Sequence, residues 1–219
     1  MTARGVEALY PYLYDQPTDR AALRDQVRRS IVAKSAEIVA LRDEVIAREG
    51  DRLRACAQAM AQRIARGGRL FAFGNGGSST DALAAASSFR APPRGRAVAA
   101  HTLTADVAAL TALANDVGFE VVFARQLAAL AGPDDIALAL STSGGSTNVL
   151  RGLVQARRLG MLTVGLAGYD GGAMAASDLL DHLFVVPSSS VHRIQEAQTT
   201  VYHLLGELVR VALDSPEPG

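Results

Sequence analysis

From residue 69 onward, short unbroken apolar runs alternate with segments of helical periodicity, and this alternation restricts the fold more than any other feature. The runs are Leu70–Phe73, Ala97–Thr102, Ile136–Ser141, Leu162–Ala167 and Leu183–Val186. Runs of this kind suit strands buried on both faces, as parallel strands are when crossover helices cover both sides of a sheet. The segments Ser79–Phe89, Ala105–Ala114, Phe119–Leu130, Thr147–Leu159, Ala173–Ser177 and Val191–Leu213 read as helices. The order predicts an α/β chain: a five-stranded parallel sheet flanked by helices, with right-handed crossovers.

Two of the strand-to-helix corners share an unusual composition. Ser141-Thr142-Ser143-Gly144-Gly145-Ser146 follows Ile136–Leu140 and precedes the amphipathic run Val149–Leu159. Backbone N–H groups at a helix start are unpaired and carry positive partial charge, so they suit an anion. Gly144 and Gly145 let the backbone approach a ligand, and Ser141, Thr142, Ser143 and Ser146 add hydroxyl donors. There is no lysine in the stretch, which excludes the P-loop pattern. The second corner, Gly74-Asn75-Gly76-Gly77-Ser78-Ser79-Thr80-Asp81, follows Leu70–Phe73 in the same way. In a parallel sheet both corners lie at the carboxyl ends of strands, where ligands bind, so they are expected to share one pocket.

Before residue 69 the chain reads as an irregular arm over 1–18, with Tyr10, Tyr12 and Tyr14, followed by helices over 19–66. Apolar residues Ile31, Val32, Ile38, Leu41 and Val45, then Leu53, Cys56, Met60 and Ile64, recur at helical spacing. Gly50-Asp51 is the expected break between two helices, with Asp51 as a cap. Residues 19–213 are read as one domain and the Pro-containing tail 214–219 as disordered. The formal net charge of zero gives no electrostatic case for nucleic acid or an acidic membrane surface. Cys56 is the lone cysteine and Lys34 the lone lysine, which excludes an intrachain disulfide and leaves little scope for Schiff-base chemistry. No run reaches the ~18 apolar residues of a membrane span, and the first residues lack the apolar centre of a leader. The expectation is a soluble, cytoplasmic protein.

Gly74–Ser78, Asn115-Asp116-Val117-Gly118-Phe119, Ser141–Ser146, Gly168-Tyr169-Asp170-Gly171-Gly172 and Arg193-Ile194-Gln195-Glu196 occur in this order. Together they resemble the sugar isomerase (SIS) family and, within it, the phosphoheptose isomerase group. The resemblance covers about residues 30–213. It implies a flavodoxin-like three-layer sandwich, assembled as a homotetramer with pockets between subunits and the N-terminal helices in the assembly core. It implies that Ser141, Thr142, Ser143 and Ser146 hold the phosphate of a sugar phosphate. Asn75, Gly76 and Ser78 would reach the ligand from the first corner, Asp116 would sit near the sugar hydroxyls, and Gln195 and His203 would face the reacting carbons. Gly145 stands where the group usually has Asn, a mild change of backbone freedom.

One departure is chemical. The group carries a His and a Glu four apart on the helix after the first corner, where they bind zinc and the Glu moves the proton. Here those positions are Ala84 and Ser88. Neither is a base near neutral pH, and zinc prefers His, Cys and carboxylate ligands. Two of the four expected ligands are missing, so no cofactor is expected. The stripe His192, Glu196, Thr199 and His203 on the last helix is a candidate acid/base or metal face, against the reading of an ion-paired helix surface. Glu196 or Asp116 would then replace the missing base, with His203 handling protons. His101, at the end of its strand, is a further pocket candidate; His182 reads as surface. Asp81 reads as complementing the helix dipole, Asp106 as a helix cap and Tyr169–Gly172 as a structural turn. Two functions stay open: isomerisation of a ketose phosphate such as sedoheptulose 7-phosphate, or a non-catalytic phosphosugar sensor or protein scaffold, as in the SIS group that associates with the replication initiator.

Overall fold

The computed structural model describes residues 20–214; the expected arm, the first residue of the expected helices and residues 215–219 lie outside the described residues. The chain divides into two compact units between Ala40 and Leu41. Of the first unit, residues 20–40 are described. They are helical, and Leu23, Val27, Ile31, Val32 and Val39 are all exposed, Val32 at 62%.

Helix α1 runs unbroken from Arg20 to Ala65, which corrects the expected interruption at Gly50-Asp51. A lone glycine costs a helix only about 1 kcal/mol. Past Ala40 the helix is fixed on both sides of Gly50 by a buried stripe: Leu41, Val45, Leu53, Cys56, Met60 and Ile64. Asp51 caps nothing; it pairs with Arg54 one turn on. Burial pushes the Cys56 thiol up to about 12, so it serves as a small apolar side chain. Buried Glu49 is paired by Arg48 and Arg52, whose outer nitrogens donate to the carbonyls of Val185 (2.6 Å) and Leu183 (2.8 Å). Helix α1 thereby covers the open edge of the last strand, whose free carbonyls would otherwise invite another chain.

Strands β1 (Leu70–Gly74), β2 (Ala100–Thr102), β3 (Ile136–Ser141), β4 (Leu162–Gly168) and β5 (His182–Val186) form one parallel sheet in the order β2-β1-β3-β4-β5. Between them lie α2 (Gly77–Arg90), α3 (Val107–Asp116), a short 3-10 turn (Phe119–Val121) leading into α4 (Val122–Leu130), α5 (Thr147–Arg158) and α6 (Gly172–Ala175), and α7 (Val191–Asp214) closes the fold. Strand β2 is shorter than the apolar run suggests, because β1 offers it only Leu70, Phe71 and Ala72 as partners. Just before it, Val98 N–H turns back to the carbonyl of Phe89.

Side chains alternate along each strand, so the sheet has two buried faces. Phe71, Phe73, Ala137, Ala139 and Ala167 share a core with Phe123, Leu127, Val149 and Leu153 of α4 and α5. On the other face α7 comes so close to β4 that a Cβ at Gly168 would lie 2.4 Å from Ile194. The chain turns outward in opposite directions from β1, to β2 on one side and to β3 on the other. The carboxyl ends of β1 and β3 therefore flank the switch point of the sheet, where doubly wound folds open a crevice.

Candidate functional site

The two serine- and glycine-rich corners meet at that switch point. Gly74 at the end of β1 lies in register with Leu140 near the end of β3. Asn75 and Asn148, 73 residues apart, exchange two amide hydrogen bonds: each Nδ2 donates to the other's Oδ1 at 2.8 Å. Asn148 is buried, and its Oδ1 also accepts from Val149 N–H. The sequence reading stopped at Ser146 and missed Asn148; an amide in the first turn of an otherwise amphipathic helix was the available signal.

Neither helix that starts here has a side-chain cap. The N-cap of α2 is Gly76, which has no side chain to offer, and Ser146 before α5 makes no capping bond. Its hydroxyl lies 3.1 Å from that of Ser141 instead. By contrast Asp106 caps α3 by accepting from Ala109 N–H, as its position suggests. In α2 the Ser78 and Ser79 N–H groups donate to the carbonyls of Asn75 and Gly76, so the anion-binding character expected of a helix start beside hydroxyls falls mainly to α5. Ser143 is exposed, with its Oγ accepting from Gly145 N–H at 3.2 Å; Thr142 is half-buried; Ser78 is buried.

The corner after β3 is braced by the next one. Gly144 has φ +63°, and a Cβ there would lie 1.9 Å from the carbonyl oxygen of Gly171. Met174 N–H donates to the Gly144 carbonyl and Gly168 N–H to that of Thr142. Asp170 accepts from Gly172 N–H. Tyr169–Gly172 thus acts as the structural turn expected of it, holding the Ser143-Gly144 backbone in place.

From the other side α7 brings Gln195 to the first corner. A Cβ on Gly77 would lie 2.0 Å from Gln195 Nε2, so the amide rests directly against the Gly77 backbone and a larger residue there would displace it. The same Nε2 is 3.5 Å from Oδ2 of Asp81, 114 residues away. Asp81 is half-buried, and burial raises its carboxyl above the usual range, with the Gln195 contact opposing. Burial likewise raises Tyr202, with Asp81 adding to the rise. Behind them Ser79, Thr104 and Thr102 link hydroxyl to hydroxyl, at 2.6 Å and then 3.2 Å.

The remaining candidates are not drawn into this cluster. Asp116 ends α3, exposed, accepting from its neighbour Asn115. Glu196 is exposed and ion-paired with Arg193. Thr199 Oγ1 donates to the carbonyl of Gln195, while His192 is exposed. His203 is exposed with its ring 4.8 Å from that of Tyr202. His101 is the middle residue of β2, stacked on Phe71 at 5.3 Å, and does not end its strand at the carboxyl edge. His182 is half-buried at the amino end of β5, away from the crevice; burial lowers its pKa.

Zinc does not fit the residues present. Ala84 has no donor atom, and the Ser88 hydroxyl donates to the Ala85 carbonyl at 2.8 Å. Among the described residues no group of three or more His, Cys, Asp or Glu side chains is arranged to hold a metal ion. Gln195 and His203 alone make too small a donor set.

The model for the SIS domain matches residues 35–168. The chain is 42% identical to a phosphoheptose isomerase of Solidesulfovibrio magneticus over 193 residues, covering 85% of this chain and 91% of that one. It is also 42% identical to that of Paramagnetospirillum magneticum over 180 residues, 81% and 91% of the two chains. Among solved structures, a phosphoheptose isomerase from Neisseria gonorrhoeae superposes with a TM-score of 0.78 at 34% identity, over 84% of this chain and 98% of that one. One from Francisella tularensis gives 0.79 at 30% identity, over the same shares.

Proposed function

The chain belongs to the SIS domain family, and from that premise we propose that it binds a sugar phosphate between its two corners and interconverts ketose and aldose forms, with sedoheptulose 7-phosphate as the expected substrate. The observation that carries the reading is the reciprocal amide pair between Asn75 and Asn148, which ties the starts of both helices to one point of the sheet. The hydroxyls of Ser141, Thr142, Ser143 and Ser146, with the first N–H groups of α5, hold the phosphate. Asn75, Gly76 and Ser78 close on it from the other corner, and Gln195 lines the sugar side. His203 handles protons; Asp116 meets the sugar hydroxyls. Glu196, with its carboxylate already taken by Arg193, is the weaker of the two replacement bases the sequence suggested.

No step is assigned to a metal. A homotetramer with pockets between subunits is supported by the exposed apolar residues of the first unit, Leu23, Val27, Ile31, Val32 and Val39, which other copies would cover. A cytoplasmic location is in keeping with the lone buried Cys56 and with the lack, among the described residues, of any helix long and apolar enough to cross a membrane.

A second reading, binding without turnover, is favoured by Ala84 and Ser88, which remove the expected base and half of the metal donors. One pair of measurements separates the two. Sugar phosphate at 100 times its Kd should stabilise the fold by about 2.7 kcal/mol under either reading. Aldose product formed from sedoheptulose 7-phosphate supports the isomerase; stabilisation with no product supports the sensor. Unchanged sugar-phosphate affinity in Ser143→Ala would count against the phosphate site itself.

A further inference from the structure

We infer that Asp81 is the carboxylate that moves the carbon-bound proton in this chain, taking the place of the glutamate that Ser88 replaces. The inference rests on the isomerase reading above. Three observations carry it. Asp81 is the fifth residue of α2, one turn past the Gly76-Gly77 corner, which follows β1 at the switch point of the sheet. Its Oδ2 faces Gln195 Nε2 at 3.5 Å, and that amide lies directly over Gly77. It is half-buried and, among the described residues, has no arginine, lysine or histidine within ion-pair distance.

Several other carboxylates are held by a counter-charge or a cap. Glu49 is paired with Arg48 and Arg52, Asp135 with Arg69, Asp181 with Arg157 and Glu196 with Arg193. Asp106 caps a helix and Asp170 a turn. An ionised carboxylate with one long amide contact, partly removed from water and without a counter-charge, is a better proton acceptor than one held by guanidinium.

The step balances without a co-reactant. The Asp81 carboxylate takes one proton from C1 of the ketose. The C–H electron pair becomes the C1–C2 double bond, and the carbonyl oxygen on C2 takes a proton from an acid, the part given to His203. The resulting enediol then receives the Asp81 proton at C2, while O1 returns a proton to His203 and becomes the aldehyde oxygen. One hydrogen has passed from C1 to C2 and one from O1 to O2.

The test compares wild type, Asp81→Asn and Asp81→Glu, full-length, with sedoheptulose 7-phosphate. The readouts are kcat and KM, deuterium uptake from heavy water at the exchangeable carbons by NMR, and the melting temperature with and without ligand. Asp81→Asn should lose at least 100-fold in kcat and in deuterium uptake, keep KM and ligand stabilisation within about threefold, and melt no lower than wild type, since a partly buried charge is gone. Asp81→Glu should recover part of the exchange. Undiminished kcat in a folded Asp81→Asn overturns the inference and leaves the isomerase reading standing. A wild type that binds the sugar phosphate but neither turns over nor takes up deuterium overturns both.

Discussion

Placing one methyl group on Gly144 tests the proposed phosphate corner most directly. The residue holds φ +63°, where a side chain costs about 1–2 kcal/mol. The added Cβ would start 1.9 Å from the Gly171 carbonyl oxygen and 2.6 Å from its carbon. Reaching even the ~3.3 Å of a close C–H···O approach requires a shift of roughly 1.4 Å. Neither side yields easily, because both are backbone: Met174 N–H holds the Gly144 carbonyl at 2.9 Å, and Gly168 N–H holds that of Thr142 at 2.9 Å. Overpacking of this kind adds about 1–3 kcal/mol. Gly144→Ala is therefore expected to lose about 2–5 kcal/mol of stability in urea denaturation. In the fraction that stays folded, displacing Ser143 by about 1 Å should cost on the order of 100-fold in turnover. Gly145 is the internal control. It has no positive φ, and the nearest atom to its Cβ position is Ser143 Oγ at 3.8 Å. Gly145→Ala should match wild type within about 0.5 kcal/mol. Wild-type stability and sugar-phosphate affinity in Gly144→Ala would refute the claim that this corner is held rigid for a ligand.

Other substitutions probe the frame around the site. Gly50→Ala should stabilise by about 0.5–1 kcal/mol, since Gly50 lies within an unbroken helix and nothing stands within 4 Å of its Cβ position; a loss on thermal melting would argue for a break there. Gln198 is buried with neither amide atom hydrogen-bonded, so Gln198→Met should gain about 1 kcal/mol or more, and a destabilised variant would show that the amide has a partner in the assembled protein. Burial alone would raise the carboxyl of Asp135, but hydrogen bonds from Arg69 and from the Gly132 and Arg69 backbone N–H groups outweigh it and hold the pKa low. A depressed folded pKa stabilises above the unfolded value of about 3.9 and loses that contribution as pH falls through the folded one. Asp135→Asn should thus cost about 2–3 kcal/mol at pH 7, below the range for a fully buried pair because Arg69 is 40% exposed. The gap to wild type should narrow in urea titrations at pH 3, and a constant gap would rule out the linkage.

The sequence by itself determined the elements and the chemistry at their joints. Apolar runs and helical periodicity are local patterns, so the strands and helices after residue 69 were legible to within a few residues. The hydroxyls and glycines of both corners could be read directly. What only the tertiary structure decided was adjacency. No local pattern states that β1 lies beside β3, that Asn75 meets Asn148 across 73 residues, or that Gln195 reaches Asp81 across 114. Asp81 looked like an ordinary first-turn acid because its burial and its facing amide are supplied by α7, a distant part of the chain. Gly50 looked like a break because its intrinsic cost is visible in the sequence, whereas the buried stripe that carries α1 past it becomes visible only once the helix has docked. Pairings between remote segments are selected by the combined burial of many side chains, and that quantity is a property of the packed sheet.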